Sequence, residues 1–321
     1  MQASWSKIAC ALVLSLSFNC FAQYPDRPVR LVVPWPPGGG VDIAARTIQQ
    51  GLTEALKQPV VIDNRGGAGG TIGTAHAAKS PADGYTLLMA SSSTHAVAPS
   101  LYKNLPYDPI RDFAPVSFVE TKPYLLVVHP SMPARNVKEL IAVARASKIR
   151  LTMASAGTGS SNHLVGELFQ LLAGVKFIHV PYKGTAPAGL AVISGECDLL
   201  IDQLAPSLPH IQAGKLRALA ITMEKRSPQL PQVMTLRESG ITGGEAIGYT
   251  ALVAPAGTPP AILERLNAAV VSLLKSPAIV ERFANQGSNA YPTTPEQVTQ
   301  QLKEDLAKWA TVIARAGVKV D

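Results

Sequence analysis

Hydrophobic positions along the chain follow two alternating patterns, which predict strands and helices in turn. Val29–Val33 is a short β-branched run that ends at a Pro/Gly cluster, so it predicts a strand. Asp42–Lys57 repeats apolar residues on one helical face. Val60–Ile62 and Tyr85–Ala90 predict two further strands, with a small-residue helix between them from Gly66 to Ala78. This βαβαβ order predicts a mostly parallel sheet with helices on both faces.

The same alternation resumes after Tyr124 and ends in two long helices. The predicted strands are Leu125–His129, Arg150–Ser155, Phe177–Val180, Asp198–Asp202 and Leu216–Thr222, and the predicted helices are Val137–Ala146, His163–Leu172 and Ala186–Ser194. A helix from 259 to about 275 follows, and Thr294–Gln297 then forms a capping box with proline at the first helical position. The apolar stripe of this last helix, which predicts core packing, is Val298, Leu302, Leu306, Trp309 and Ile313.

No polar linker separates the two runs of elements. The two segments that could connect them, Lys122–Val128 and Gly248–Val253, are themselves strand-like. Two short strand crossovers fit two lobes on a hinge. We therefore predict an α/β protein in which domain 2 (124–245) is inserted into domain 1 (23–123 plus 246–321).

The first 22 residues predict a secretory signal peptide. Ile8–Phe18 is uncharged and mostly apolar, and Cys20-Phe21-Ala22 places small residues before a cut after Ala22. A buried N-terminal helix is the alternative, but the segment is not amphipathic. A lipid anchor on Cys20 fits poorly, because Ser17 and Asn19 occupy positions where a lipobox prefers leucine and a small residue.

Composition narrows the function classes. The chain has 29 Lys+Arg against 22 Asp+Glu, and only 16% of its residues are charged, against roughly 25% in an average soluble domain. The basic residues are scattered, which argues against a nucleic-acid partner. No run of about 20 apolar residues supports a polytopic membrane protein. Without the signal, Cys197 is the one remaining cysteine, so we expect a buried thiol and no internal disulfide.

Two glycine-rich segments occupy equivalent strand-to-helix positions. Pro34–Asp42 follows the first strand, and Ala154–His163 follows a strand of the second run. Helix N-termini attract anions, and open α/β sheets bind ligands at the carboxyl ends of their strands. The two loops are therefore expected to face each other across a cleft and to hold an anion with neutral donors. Asp42 is the expected N-cap, and tight turns without a ligand are the alternative interpretation.

Three other segments could reach the same cleft. Ser91–His95 follows a predicted strand and carries hydroxyl groups, while Tyr182–Gly184 and Asp202 follow two strands of the second run. His95 and His163 also fit a purely structural role as loop or helix-cap residues.

Enzyme signatures are missing from the sequence. It contains no Gly-x-Ser-x-Gly, P-loop or His-Glu-x-x-His motif, and no cysteine cluster. Two dinucleotide-like fingerprints lack their third glycine, with Asn162 and Ile72 in its place. We expect no catalysis, no cofactor and no metal. A secreted serine hydrolase using Ser160 or Ser161 with His163 remains the alternative.

A series of short motifs occurs in an order that is more specific than any one of them. They are Tyr24–Asp42, Asp63–Gly73, Pro81–Leu87, Val180–Gly184, Ala213–Ala220 and Ala254–Pro259. With the signal peptide, this order resembles the Bug family, the periplasmic solute-binding receptors of tripartite tricarboxylate transporters. The resemblance implies a two-domain periplasmic-binding-protein fold that closes on a small carboxylate like a flytrap, with mixed, mostly parallel sheets and two crossover strands.

The resemblance also implies which residues bind the ligand. They are Trp35, Pro36, Pro37, Gly38, Gly39 and Asp42 in the first loop, Ala156, Gly157, Thr158, Gly159, Ser160 and His163 in the second, and Thr94, Tyr182 and Asp202 near the variable end. The expected partners are a carboxylate and the membrane permease subunits, or a membrane sensor if the protein signals. We expect a periplasmic monomer. Gly66, Gln203 and Tyr249 depart from the family pattern, and di- or tricarboxylates, acidic amino acids and aromatic acids all remain as ligands.

Overall fold

The computed structural model describes residues 24–317, and the predicted signal peptide lies outside them. The strands are β1 (Val29–Val33), β2 (Val60–Asn64), β3 (Thr86–Ser91), β4 (Phe113–Val128), β5 (Thr152–Ser155), β6 (Ile178–Pro181), β7 (Leu199–Gln203), β8 (Arg217–Ile221), β9 (Ile247–Pro255) and β10 (Asn289–Ala290). The helices are α1 (Gly40–Leu56), α2 (Thr71–Ala78), α3 (Ala98–Leu101), α4 (Val137–Ala146), α5 (Ser161–Ala173), α6 (Thr185–Ile193), α7 (Leu204–Gln212), α8 (Pro260–Leu274), α9 (Pro277–Asn285) and α10 (Pro295–Ala316).

The strands form two sheets that share β4. The first sheet has the order β2-β1-β3-β9-β4-β10, and the second has the order β8-β4-β7-β5-β6. Strands β1, β2 and β3 are parallel, as are β5, β6 and β7. Every antiparallel pairing involves β4 or β9. The expected mixed α/β architecture is therefore confirmed, and β4 is the strand that pairs in both sheets.

Strand β4 changes partners in its middle. Its residues 113–123 pair with β9, and residues 124–128 pair with β7 and β8. The chain returns to the first sheet where the Ala246 amide donates to the Thr222 carbonyl, just before β9 begins. We call the two halves the first lobe and the second lobe, after their sheets. The domain bounds at 123/124 and 245/246 agree with this change of partner and stay a prediction.

Two local predictions were wrong, for backbone reasons. The expected helix from Gly66 to Ala78 begins only at Thr71, because Gly67, Gly69 and Gly70 have positive φ and Ala68–Gly70 forms a 3₁₀ turn instead. The segment after β3, expected as a loop, is a π-helix over Ser93–Val97 that continues into α3. Short π segments are frequent at functional sites.

The C-terminal helix packs on both lobes. Its capping box forms as predicted, with the Thr294 side chain and the Gln297 side chain each accepting from the other residue's backbone amide. Val298 packs into the hydrophobic cluster of the first sheet, whereas Trp309 and Ile313 pack with Phe169 of α5 in the second lobe. Helix α10 therefore connects the two lobes by packing, in addition to the two strand crossovers.

The free thiol of Cys197 is buried, as expected. Within residues 24–317, no helix combines the length and hydropathy needed to span a bilayer.

Candidate functional site

Four helices begin at one small cavity between the lobes, which we call the inner cavity. It is lined by residues at the start of α1 (Gly39, Gly40 and Val41), α5 (Asn162), α6 (Thr185) and α7 (Gln203), together with Trp35, Ser91, Ser93 and Ala156. Its empty space, counted together with the part open to solvent, is about 280 Å³. The parallel strands β1, β5, β6 and β7 deliver these helices to the same place, because each helix follows the carboxyl end of its strand.

The inner cavity is lined by helix N-termini, and no charged side chain among the described residues lines it. Amide groups at a helix start lack carbonyl partners within the helix, and the helix dipole adds partial positive charge there. Helices α1, α6 and α7 have no side-chain cap on these amides, whereas Ser160 caps α5. Such a convergence favours a bound anion.

A second space, the outer cavity, shares Trp35 and Ala156 with the inner one. It has an empty volume of about 550 Å³. Its other lining residues are Gly67, Ala68, Gly69, Tyr102, Gly157, Thr158, Pro181, Tyr182 and Lys183. Among them Lys183 carries the one charged group. The cleft therefore has helix N-termini at its inner end and a cation at its outer end.

Asp42 supports the first loop and is not its N-cap, so that prediction was wrong. Gly39 is the N-cap of α1, and Asp42 lies in the first turn. The Asp42 carboxylate accepts hydrogen bonds from the Gly38 amide at 2.9 Å, Arg46 Nε at 2.8 Å and Asn64 Nδ2 at 2.9 Å. Burial alone would raise the pKa of this carboxyl, but these three donors lower it below its usual value.

The second loop is held by the start of α5. The Ser160 hydroxyl accepts from the His163 amide at 3.2 Å, and the Gly159 amide donates to His163 Nδ1 at 3.3 Å. His163 Nε2 lies 3.6 Å from Glu167 Oε1. Ser161 Oγ is bonded instead to Ser93 Oγ and Tyr124 OH. A hydrolase would need the His163 ring to accept a hydrogen bond from the hydroxyl of Ser160 or Ser161. Neither bond is present among the described residues.

The structure separates the predicted site residues into two groups. Those on the cavity walls are Trp35, Gly39, Ala156, Gly157, Thr158 and Tyr182. Those outside the two lining sets are Pro36, Pro37, Gly38, Asp42, Thr94, Gly159, Ser160, His163 and Asp202. The second group supports the walls through hydrogen bonds and packing, as the contacts of Asp42 and Ser160 illustrate.

Thr94 and Asp202 are buried behind the walls. Thr94 Oγ1 accepts from the Ser91 amide at 3.1 Å, which shapes the turn after β3. Asp202 accepts from Ser207 Oγ at 2.7 Å and from the Gln203 amide at 2.8 Å. Burial raises the pKa of the Asp202 carboxyl to about 7.

Sequence reasoning missed several lining residues. They are Gly40, Val41, Asn162, Thr185 and Gln203 in the inner cavity, and Gly67, Ala68, Gly69, Tyr102 and Pro181 in the outer one. Thr185 and Gln203 could have been found, because each stands where a predicted strand is followed by a helix. Tyr102 carried no such signal, since it comes after α3 and reaches the cleft only through the fold.

The lobes touch each other around both cavities. Ser93 Oγ and Ser161 Oγ lie 2.7 Å apart, and Tyr102 OH donates to the Thr158 carbonyl at 3.0 Å. Facing glycines allow this approach: a Cβ on Gly40 would lie 1.6 Å from Gln203 Oε1. Trp35 Nε1 and Gln203 Oε1, one from each lobe, are buried without a hydrogen-bond partner among the described residues.

No group of three or more metal-ligating side chains comes together within the described part of the chain.

Comparisons with known proteins agree on one family. A family model described as a tripartite tricarboxylate transporter family receptor matches residues 44–318. BugT of Bordetella pertussis is 41% identical over 298 residues, which cover 92% of this chain and 91% of BugT. The structure of an R. palustris protein with adipate is 37% identical, with a TM-score of 0.90, covering 92% of this chain and 99% of that chain. The structure of the periplasmic binding protein BugD is 35% identical, with a TM-score of 0.89 and the same coverage. The expected periplasmic-binding-protein fold is confirmed by these neighbours.

Proposed function

We propose that this chain, which belongs to the receptor family of tripartite tricarboxylate transporters, captures a small dicarboxylate between its two lobes. The observation that carries the proposal is the convergence of four helix N-termini on the inner cavity. One carboxylate would accept hydrogen bonds from the free amides there. The structural neighbour with adipate supports a linear dicarboxylate.

The second carboxylate would lie in the outer cavity. Lys183 is placed to attract it, and Thr158 and Tyr182 line the path between the two ends. Trp35 Nε1 would donate to the ligand, because its buried N–H otherwise lacks a partner among the described residues. A monocarboxylate would leave the outer end unpaired, so we expect dicarboxylates to bind more tightly.

Domain 1 (23–123 plus 246–321) and domain 2 (124–245) would close on this ligand about the crossovers at β4 and β9. Pro36, Pro37, Gly38, Asp42, Thr94, Gly159, Ser160, His163 and Asp202 would then act by holding the loops in shape. In this proposal the ligand displaces water from the cleft and contacts both lobes at once in the closed state.

The receptor would deliver the ligand to membrane permease subunits. Residues 1–22 would direct export of the protein to the periplasm and would be cleaved off after Ala22. The protein would act as a monomer without catalysis. A receptor that signals to a membrane sensor would use the same cleft, so a pull-down with the permease or the sensor distinguishes these two outputs.

The test is thermal unfolding of the purified protein against adipate, malate, citrate, glutamate, benzoate and acetate. A ligand that binds only the folded state adds about 2.7 kcal/mol of stability at a hundredfold excess over its dissociation constant. We expect the largest shift with a dicarboxylate. Each acid is also tested after denaturation, dialysis and refolding, which removes a co-purified ligand.

A refolded protein that responds to none of these acids would contradict the proposal. Covalent labelling by a fluorophosphonate probe at Ser160 or Ser161 would contradict the absence of catalysis and favour the hydrolase alternative.

A further inference from the structure

A separate cavity lies on the other side of the first sheet from α1. Its empty space, counted together with the part open to solvent, is about 500 Å³, and it is bordered by β3, β4, β9, the residues before β4 and the first turns of α10. Ala251 and Val253 of β9 face Val298 and Leu302 of α10 across it, and Ile110, which is 40% exposed, lies at its edge. None of the residues that line the cleft lines this cavity.

Two polar groups in the wall of this cavity lack partners. His95 and Tyr249 are more than nine-tenths buried, and neither His95 Nε2 nor the Tyr249 hydroxyl has a hydrogen-bond partner among the described residues. Leaving a buried polar group unpaired costs about 1–3 kcal/mol. A ligand group that bonded to them would remove this cost.

His95 contacts Thr94 through its other ring nitrogen. Thr94 Oγ1 lies 3.1 Å from the Ser91 carbonyl and 3.0 Å from His95 Nδ1, so its one proton can serve either acceptor and both neutral tautomers of His95 fit these contacts. His95 Nε2 is an acceptor in one tautomer and a donor in the other. Burial lowers the pKa of His95 to about 3, so the ring stays neutral at physiological pH.

These groups define the chemistry of an occupant. It must pair with His95 Nε2 in either tautomer and can accept from the Tyr249 hydroxyl. A hydroxyl group meets both requirements, because it can donate and accept. Its remaining atoms must be apolar, to match the wall. A charged molecule is disfavoured, since no charged side chain of the described residues lines the cavity to offset its desolvation.

We propose that the cavity between β9 and α10 is a second ligand site, for a small uncharged molecule that carries one hydroxyl on an apolar body. The π-helix of residues 93–97 lies between this site and the cleft, with Ser93 lining the inner cavity and His95 lining the second site. The site does not depend on the carboxylate function of the cleft.

Phenol is the probe, measured by isothermal titration on the purified protein, with toluene and benzoate as comparison ligands. We expect saturable phenol binding at least tenfold tighter than that of toluene, and no benzoate binding at this site. Ala251→Leu should abolish phenol binding by filling the cavity, and Tyr249→Phe should weaken it at least fivefold. Tyr291→Phe is the matched control, because Tyr291 stacks on Phe118 nearby without lining the cavity, and it should leave phenol binding unchanged.

A crystal soaked in 4-bromophenol locates the site directly, with the bromine signal expected between β9 and α10. Circular dichroism of each variant checks that it is folded. The proposal is overturned if phenol does not bind saturably, if Ala251→Leu binds it as the parent does, or if the cavity holds only water while bromine appears in the cleft.

Discussion

Glycines at the cleft allow the two lobes to come together. Gly40 is the first residue of α1, and the side-chain amide of Gln203 from the second lobe lies against it, so a methyl group at Gly40 would displace that amide. Other glycines of the two cleft loops also face the opposite lobe, so side-chain volume at these positions opposes closure directly. Because these glycines have no side chain, their backbone amides can also approach a ligand closely.

We predict that Gly40→Ala weakens carboxylate binding at least tenfold without destabilising the fold. Its Cβ would lie 1.6 Å from Gln203 Oε1 only when the lobes touch, whereas alanine suits a helix better than glycine by about 0.5–1 kcal/mol. Titration calorimetry and urea unfolding measure the two effects. Gly189→Ala in α6 is the matched control, since its Cβ meets nothing within 4 Å, and its affinity should equal that of the parent. Equal affinities in both variants would contradict this role for Gly40.

Asp202 is a buried acid whose ionisation opposes folding. Its folded pKa, about 7, lies above its unfolded value near 4. The contribution to stability is therefore complete below about pH 4 and is lost as the pH rises through 7.

We predict that the free energy of unfolding falls by on the order of 3 kcal/mol more in the parent than in Asp202→Asn between pH 4 and pH 8. The asparagine keeps partners in Ser207 and the Gln203 amide but does not ionise. Urea unfolding of both proteins across this range measures the difference. Parallel pH profiles would show that Asp202 does not ionise at a raised pKa.

At the scale of elements, the helix termini decide what the cleft binds. Helices α1, α6 and α7 start without side-chain caps, so their amides remain available to a ligand. Because α6 begins at Thr185, which lines the inner cavity, a carboxylate placed there would occupy the position of the ligand's own carboxylate.

We predict that Thr185→Asp reduces carboxylate affinity at least a hundredfold. The new side chain would repel the ligand while interacting favourably with the start of α6 by about 0.3–1 kcal/mol, so the melting temperature should not fall. Thr185→Asn, of the same size but uncharged, should stay within tenfold of the parent. The two variants are compared by titration calorimetry and thermal unfolding. A similar loss in both would mean that shape, and not charge, governs this position.

At the scale of the whole molecule, β4 holds the two lobes together and contains a buried ion pair close to the crossing. Lys122 Nζ lies 2.6 Å from Glu120 Oε1, and both side chains are almost fully buried. Lys122 also donates to Thr250 Oγ1 of β9 at 2.6 Å, which ties the two crossover strands to each other.

We predict that Lys122→Met lowers the free energy of unfolding by about 3–5 kcal/mol, because it leaves the Glu120 carboxylate buried and uncompensated. The double variant Glu120→Gln with Lys122→Met should recover at least half of that loss. Arg226→Met, at the exposed pair with Glu238, is the control and should cost no more than about 1 kcal/mol. Urea unfolding measures all three, and a double variant as unstable as the single one would contradict the argument.

Local patterns predicted most of the elements. Short apolar runs identified β1, β3 and β7, and the capping box placed the start of α10 at its observed residue. Each of these signals is contained within a few neighbouring residues, as is the strand-to-helix position of the two cleft loops. The order of motifs likewise identified the family, which the family model and BugT confirm.

Other features depended on residues distant in the chain. The 3₁₀ turn before α2 requires a positive φ that sequence periodicity does not report. Asp42 supports the first loop because Asn64 and Arg46 donate hydrogen bonds to its carboxylate. The helix pattern alone predicts that Asp42 is an N-cap. Tyr102 faces the cleft because the fold brings the end of α3 against Thr158 of the second lobe.

The sequence by itself determined the fold class, the two loops and the receptor family, because these follow from local periodicity and from motifs in order. Only the tertiary structure decided which side chains line the cleft, which ones stand behind it, and that four helices begin at one cavity. The physical reason is that burial, pKa and hydrogen-bond partners are set by contacts between residues far apart in sequence, and these exist only once the lobes have packed.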